Sequence, residues 1–160
     1  ETLRGTGQYN RLFTNDRTFA LLNLSALHDA IADVEFRGTV SPGLGHYFFK
    51  EDKFELSGEL GPGFVYEKVG GITDHYMSLR VAESAKYQIS ERARLWQKLE
   101  YVPQVDYFEN YLVIAEIGID SDLTEKLGMR FTIQDVFDNQ PALGRKSNDL
   151  RVVSSLRYKF

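Results

Sequence analysis

The chain contains no cysteine, one tryptophan, two methionines and four prolines in 160 residues. Without cysteine it has no thiol nucleophile, no disulfide and no thiolate zinc site, and the redox compartment stays open. Long hydrophobic runs are also missing, because no apolar stretch approaches the roughly 18 residues of a membrane helix. Neither charge sign dominates. Nineteen Lys and Arg against 23 Asp and Glu give a net charge of -4 with the signs interspersed. There is thus no basic stripe for nucleic acid. Nine Tyr, eleven Phe and thirteen Gly are present, a composition that suits strands.

Alternation with a period of two recurs along the chain, and helical periodicity is nowhere sustained. Phe54, Leu56, Leu60, Pro62, Phe64 and Tyr66 share one face of a strand, with Glu55, Ser57, Glu59 and Glu67 on the other. Leu127, Met129, Phe131 and Ile133 oppose Gly128, Arg130 and Thr132. From Tyr76 to Ile89 the pattern holds, except that Glu83 falls on the apolar face. Leu95 to Tyr101 is interrupted in the same way by Gln97, and Tyr111, Val113, Ala115, Ile117 and Ile119 form a further apolar face. The closing residues D-L-R-V-V-S-S-L-R-Y-K-F put Leu150, Val152, Ser154, Leu156, Tyr158 and Phe160 on one side and Arg151, Val153, Ser155, Arg157 and Lys159 on the other. An apolar face of about 10 residues is the length a tilted strand needs to cross a bilayer. Segments at Val34–Phe49, at Thr18–His28 and near Leu3–Phe13 bring the count to about nine strands, with a helix over Leu21–Ile31 as the local alternative.

The connections alternate in kind. T-N-D-R at 14–17, K-E-D-K at 50–53, S-E-R-A at 90–93 and D-S-D-L-T-E at 120–125 are short and charged. Between them fall 29–33, 68–75, 104–110 and 137–149, generally longer. Outer-membrane barrels connect strands this way, with short turns on the periplasmic side. Nothing marks a domain boundary, so residues 1–160 read as a single β-barrel domain.

Several pieces resemble one family. They are R-G-T-V-S-P-G-L-G-H-Y at 37–47, F-E-L-S-G-E-L-G-P-G-F-V-Y-E at 54–67, and D-V-F-D-N-Q-P-A-L-G-R-K-S-N-D at 135–149 with the closing strand after it. From about Arg11 onward the chain is similar to the salt-induced outer membrane proteins, a bacterial domain-of-unknown-function family (family 481). The resemblance implies an antiparallel barrel in the bacterial outer membrane, in contact with outer-membrane lipid. It brings no catalytic residues and no cofactor. It also implies further strands ahead of this region, so the fold class expected is all-β. This is an up-and-down outer-membrane-type barrel with about nine strands visible, the C-terminal part of one with roughly twelve.

On that reading the polar faces line a lumen. They carry Arg37, Arg80, Lys86, Lys98, Arg130, Arg151 and Arg157, facing Glu35, Glu55, Glu59, Glu100 and Glu116. Charges in such a place have to be paired or hydrated. The plain expectation is a structural salt-bridge network filling a narrow, occluded lumen in a structural or envelope-stress barrel; the functional one is a charged constriction in a small pore. Leu156, Tyr158 and Phe160 form the C-terminal barrel signal, read by the barrel-assembly machinery. The aromatics near strand ends, Tyr47, Tyr66, Tyr76, Tyr87, Tyr101 and Tyr111 among them, suit interfacial girdles. Two other functions fit a β-barrel: a soluble, lipocalin-like binder of a small ligand, and a lipid-modifying outer-membrane enzyme. The enzyme needs a His, a hydroxyl and an acid together. His28, His46 and His75 form no such group in the sequence, and Glu55 with Glu59 have nothing to position a substrate, so no catalytic residue and no metal is expected. No nucleic-acid partner is expected, and the oligomeric state is not legible.

Overall fold

The computed structural model describes residues 2–14, 16–30, 33–124, 126–141 and 146–158. Among them there is no helix. The chain is a meander of nine strands: β1 (Thr2–Leu12), β2 (Thr18–Asp29), β3 (Val34–Lys50), β4 (Phe54–Val69), β5 (Ile72–Ser90), β6 (Ala93–Pro103), β7 (Tyr111–Asp122), β8 (Leu127–Asp138) and β9 (Asn148–Tyr158). Each strand pairs antiparallel with the next in one sheet ordered β1 to β9. Leu21 to Asp29 belong to β2, so the helical alternative is overturned. Its apolar residues sit on both faces of one strand: Leu21 is buried while Leu22 and Leu24 are exposed.

The connections at one end are short, as expected, and those at the other are less uniform than the sequence implied. The stretch read as a loop over 68–75 is nearly all strand. Val69 pairs with Ile72 across Gly70–Gly71. Both glycines have positive φ, 57° and 79°, the two left-handed positions a type I′ hairpin turn demands. The connection 104–110 remains a long loop, and β8 ends at Asp138 with β9 beginning at Asn148.

The sheet curls strongly. Arg37 on β3 meets Asp138 on β8 at 3.5 Å, and Arg151 on β9 bonds Asp29 on β2. On a flat sheet β2 and β9 would stand roughly 34 Å apart, at about 4.8 Å per strand. Side chains can bridge them only because the sheet wraps into a barrel-like wall with an inside. Closure is incomplete: among the described residues β1 pairs with β2 alone and β9 with β8 alone.

Polarity across this wall is reversed relative to a water-soluble barrel. Leu44, Leu60, Phe64, Met77, Ile117, Leu150 and Leu156 are exposed on the convex side. Arg80, Asp120, Asn23, Ser41 and Ser78 are buried on the concave side. Of the residues expected outward, Leu60, Met129, Phe131, Leu150, Leu156 and Tyr158 are exposed and Phe54, Leu56 and Leu127 half-buried. A few apolar side chains do point inward, chiefly Phe19, Leu21 and Val65. A bulge at Val34/Phe36 resets the alternation at the start of β3, leaving Val34 buried and Phe36 exposed.

Two glycines make room for the curl. A Cβ at Gly61 would lie 2.1 Å from the Pro42 carbonyl oxygen, a backbone atom that cannot give way. A Cβ at Gly45 would lie 2.2 Å from the inward Phe19 ring, a side chain that can shrink. Gly61→Ala and Gly45→Ala are each expected to cost about 1–3 kcal/mol by overpacking. Phe19→Leu should restore Gly45→Ala and leave Gly61→Ala unrelieved. Urea unfolding of the refolded protein in lipid vesicles reads both.

Candidate functional site, the charged interior

Strand alternation delivers the site. On every strand from β3 to β9 the polar residues of the inward set point at one another across the wall, and the structure sorts them into three levels along the barrel.

Near the short-connection end, the Arg130 guanidinium grips Asp120 with two bonds of 2.6 and 2.7 Å, and stacks 5.0 Å from the Trp96 ring. Trp96 also donates its indole N–H to Asp120 at 3.2 Å. The ring has room because position 118 is glycine: a Cβ there would meet it at 2.5 Å. Phe19 and Tyr47 contribute two further inward rings at this end, 5.3 Å apart. Nearby, Glu55 and Lys86 pair at 3.1 Å while still partly open to solvent.

In the middle Arg80, whose side chain is 3% exposed, holds Glu59 at 2.8 Å and Glu100 at 3.0 Å. Lys98 adds a second cation to Glu100 at 3.2 Å. Gln8 reaches across from β1 to Glu59 at 2.8 Å and takes a bond from Asn23. Gln134 donates to Glu116. Gln8, Asn23, Lys98, Glu100, Glu116 and Gln134 border a cavity of about 400 Å³ on the side where β1 faces β6 to β9.

Toward the other end, Arg37 binds Glu67 and Asp138, and Arg151 binds Asp29 and Asp149. The free space between Arg37, Tyr76 and Arg80 is only about 60 Å³, room for a water or two. A charge held this deep is tolerable only because each guanidinium has carboxylates on two sides.

Of the expected lumen residues, Arg37, Glu55, Glu59, Arg80, Lys98, Glu100, Glu116, Arg130 and Arg151 are all inward and all bonded. Glu35 is a correction. It lies on the outer side, paired with Lys68, because the bulge at the start of β3 reverses its direction. Tyr47 and Tyr76 are corrections too: they point inward and belong to no girdle, as the Phe19–Tyr47 contact and the bond from Tyr76 to Glu67 require. The Arg157 side chain and Phe160 lie outside the described residues. Reading by alternation missed half of the acidic partners. Asp29, Asp120, Asp138 and Asp149 lie in stretches that the sequence marks as connections, yet each belongs to a strand.

The histidines do not assemble a catalytic group. His46 accepts or donates one bond with Thr18 at 3.0 Å on the outer face, against the Phe48 ring. His28 bonds the Glu35 carbonyl oxygen. His75 faces outward and Ser78 inward on the same strand.

A family model described as "Protein of unknown function, DUF481" matches residues 1–160. The chain belongs to the DUF481 family. Neither the curated proteins nor the solved structures contain a match to it. An outer-membrane barrel is compatible with the DUF481 membership and the all-β meander together. The outer surface of the DUF481 chain has one further property. Between its aromatic ends the apolar face is broken on β5 and β6 by Glu83 and Gln97, the same two residues that disturb the sequence pattern. They are joined by a hydrogen bond of 3.1 Å.

Proposed function

We propose that this chain forms the wall of a bacterial outer-membrane β-barrel of structural or envelope-stress type, with its lumen blocked by ion pairs. The observation that carries the reading is the reversed polarity: an apolar convex face with the buried charge on the concave side. Only a lipid surround makes that arrangement favourable, since water would reward the opposite. The strands are 11 to 19 residues long, at or beyond the 9–11 or so needed to cross a bilayer. In lipid the free edges of β1 and β9 need partners, because unpaired N–H and C=O groups find no water there. Further strands joining those edges, as in a barrel of roughly twelve, complete the proposal. Delivery through the barrel-assembly machinery, engaging the β9 face of Leu156 and Tyr158, is part of the same reading.

A lipocalin-like binder needs an apolar cavity, and the space of about 400 Å³ on the β1 side is bordered by Lys98, Glu100, Glu116 and Arg151. The membrane reading is therefore preferred.

Fractionation of a Gram-negative host tests it. The protein should stay in the outer-membrane fraction through high salt and alkaline carbonate, come out with detergent, and shift its gel mobility on boiling. Release by salt alone would refute it. In planar bilayers the refolded protein should give no large, steady porin-like conductance, because the Arg80 and Arg37 levels leave too little space. Open channels of porin size would favour the pore instead.

A further inference from the structure

We propose that the outer face of β5 and β6, centred on Glu83 and Gln97, is the contact surface for a second copy of this chain. The inference rests on the membrane reading above. Glu83 stands among Leu79, Val81, Ala85 and Tyr87 on the convex side of β5, and Gln97 among Leu95, Leu99 and Tyr101 on β6. An ionisable group on a lipid-facing surface is costly and marks a functional contact by default. Among the described residues no cation reaches Glu83, whose carboxylate is held by the Gln97 amide alone. Acyl chains offer neither of these residues a further partner.

A second copy does. Each Gln97 amide has two N–H groups and gives one to its own Glu83. Its second N–H is left over, as is the other oxygen of Glu83. Placed face to face about a two-fold axis, two copies match four amide N–H groups to four carboxylate oxygens, one donor for each. Such an axis runs along the membrane normal, so the paired groups must lie at one depth. Glu83 and Gln97 meet this condition. Glu83 pairs in register with Leu99, and Gln97 with Ala85, so the two are diagonal neighbours, and their hydrogen bond holds amide and carboxylate within 3.1 Å of each other in depth. Ala85 beside Gln97 is small enough to let another wall approach, as small residues do where membrane segments meet. On the other side of Glu83, the Phe48 ring lies over Gly58 and bounds the patch.

The absence of native cysteine lets one introduced thiol report one contact. Ala85→Cys keeps both polar residues and lies at the centre of the patch. Leu44→Cys, exposed on β3, is the control. Both variants are oxidised with copper phenanthroline in intact outer membranes, after their heat-dependent gel shift shows that they are folded. Ala85→Cys is expected to yield at least tenfold more disulfide-linked dimer than Leu44→Cys. Adding Glu83→Leu with Gln97→Leu should bring it down to the control level. The unaltered protein in mild detergent should show twice the monomer mass. Equal cross-linking of the two cysteine variants within the membrane fraction, or linkage of Ala85→Cys to a different protein, would overturn the dimer. Absence from the membrane fraction is a separate readout and would remove the membrane reading itself.

Discussion

Arg80→Met is expected to destabilise the folded barrel by about 3–5 kcal/mol, the largest single effect predicted for this chain. The substitution keeps an unbranched apolar stem in place of the guanidinium and removes both ion pairs of Arg80. Glu59 is then left with Gln8, and Glu100 with Lys98. The cost comes mainly from leaving the largely buried Glu59 with a neutral partner and Glu100 with one cation instead of two, and less from losing attraction. That distinction can be measured. The triple change Glu59→Gln, Arg80→Met, Glu100→Gln should recover at least half of the loss, because it removes the stranded charge along with its partner. Urea unfolding in lipid vesicles, followed by tryptophan emission from the single Trp96, gives the comparison. If Arg80→Met unfolds at the same urea concentration as the parent, the central level is hydrated and the occluded-lumen reading fails with it.

The second large effect separates lipid from water around the barrel. Leu60 is 56% exposed on the convex face of β4. If water surrounds that face, Leu60→Arg is an ordinary surface substitution worth within about 0.5 kcal/mol. If acyl chains surround it, the same change costs about 2–4 kcal/mol, the price of a cation near the bilayer midplane. The expected result is the larger value, with the variant folding poorly into vesicles. As an inward comparison, Ser25→Lys would place a cation in the space of about 400 Å³ that Glu100 and Glu116 border, and should be tolerated better than Leu60→Arg. A nearly neutral Leu60→Arg would contradict the membrane reading independently of any fractionation.

Strand positions were the most legible part of this protein. Alternation located all nine, with ends shifted by a few residues, because one continuous polar face per strand is a strong local signal. The errors have local physical causes. By sequence the Gly70–Gly71 turn looks like part of a long loop, because two glycines suit either, and only the pairing of Val69 with Ile72 decides for a turn. Alternation alone puts Glu35 inward, because a bulge inverts parity without leaving a mark in the hydrophobic pattern. Tyr47 and Tyr76 suit a girdle by sequence, because an aromatic near a strand end looks the same whichever way it points. Glu83 and Gln97 stood out one at a time as exceptions, and nothing in the sequence linked residues 14 positions apart on different strands.

Taken alone, the order of residues determines that this is an all-β meander, that the strands from β3 onward have one mainly apolar and one mainly polar side, and which residues share a side. Those properties follow from a period of two, which is built into extended backbone. Partner choice within the interior was decided only by the tertiary structure. Arg37 takes Asp138 and Arg151 takes Asp29 across more than a hundred residues of chain. The curl of the sheet sets these pairs, and the curl depends on where the wall can come close, as at Gly61 against Pro42 and Gly118 under Trp96. Such contacts join strands distant in sequence, so a local pattern carries no record of them.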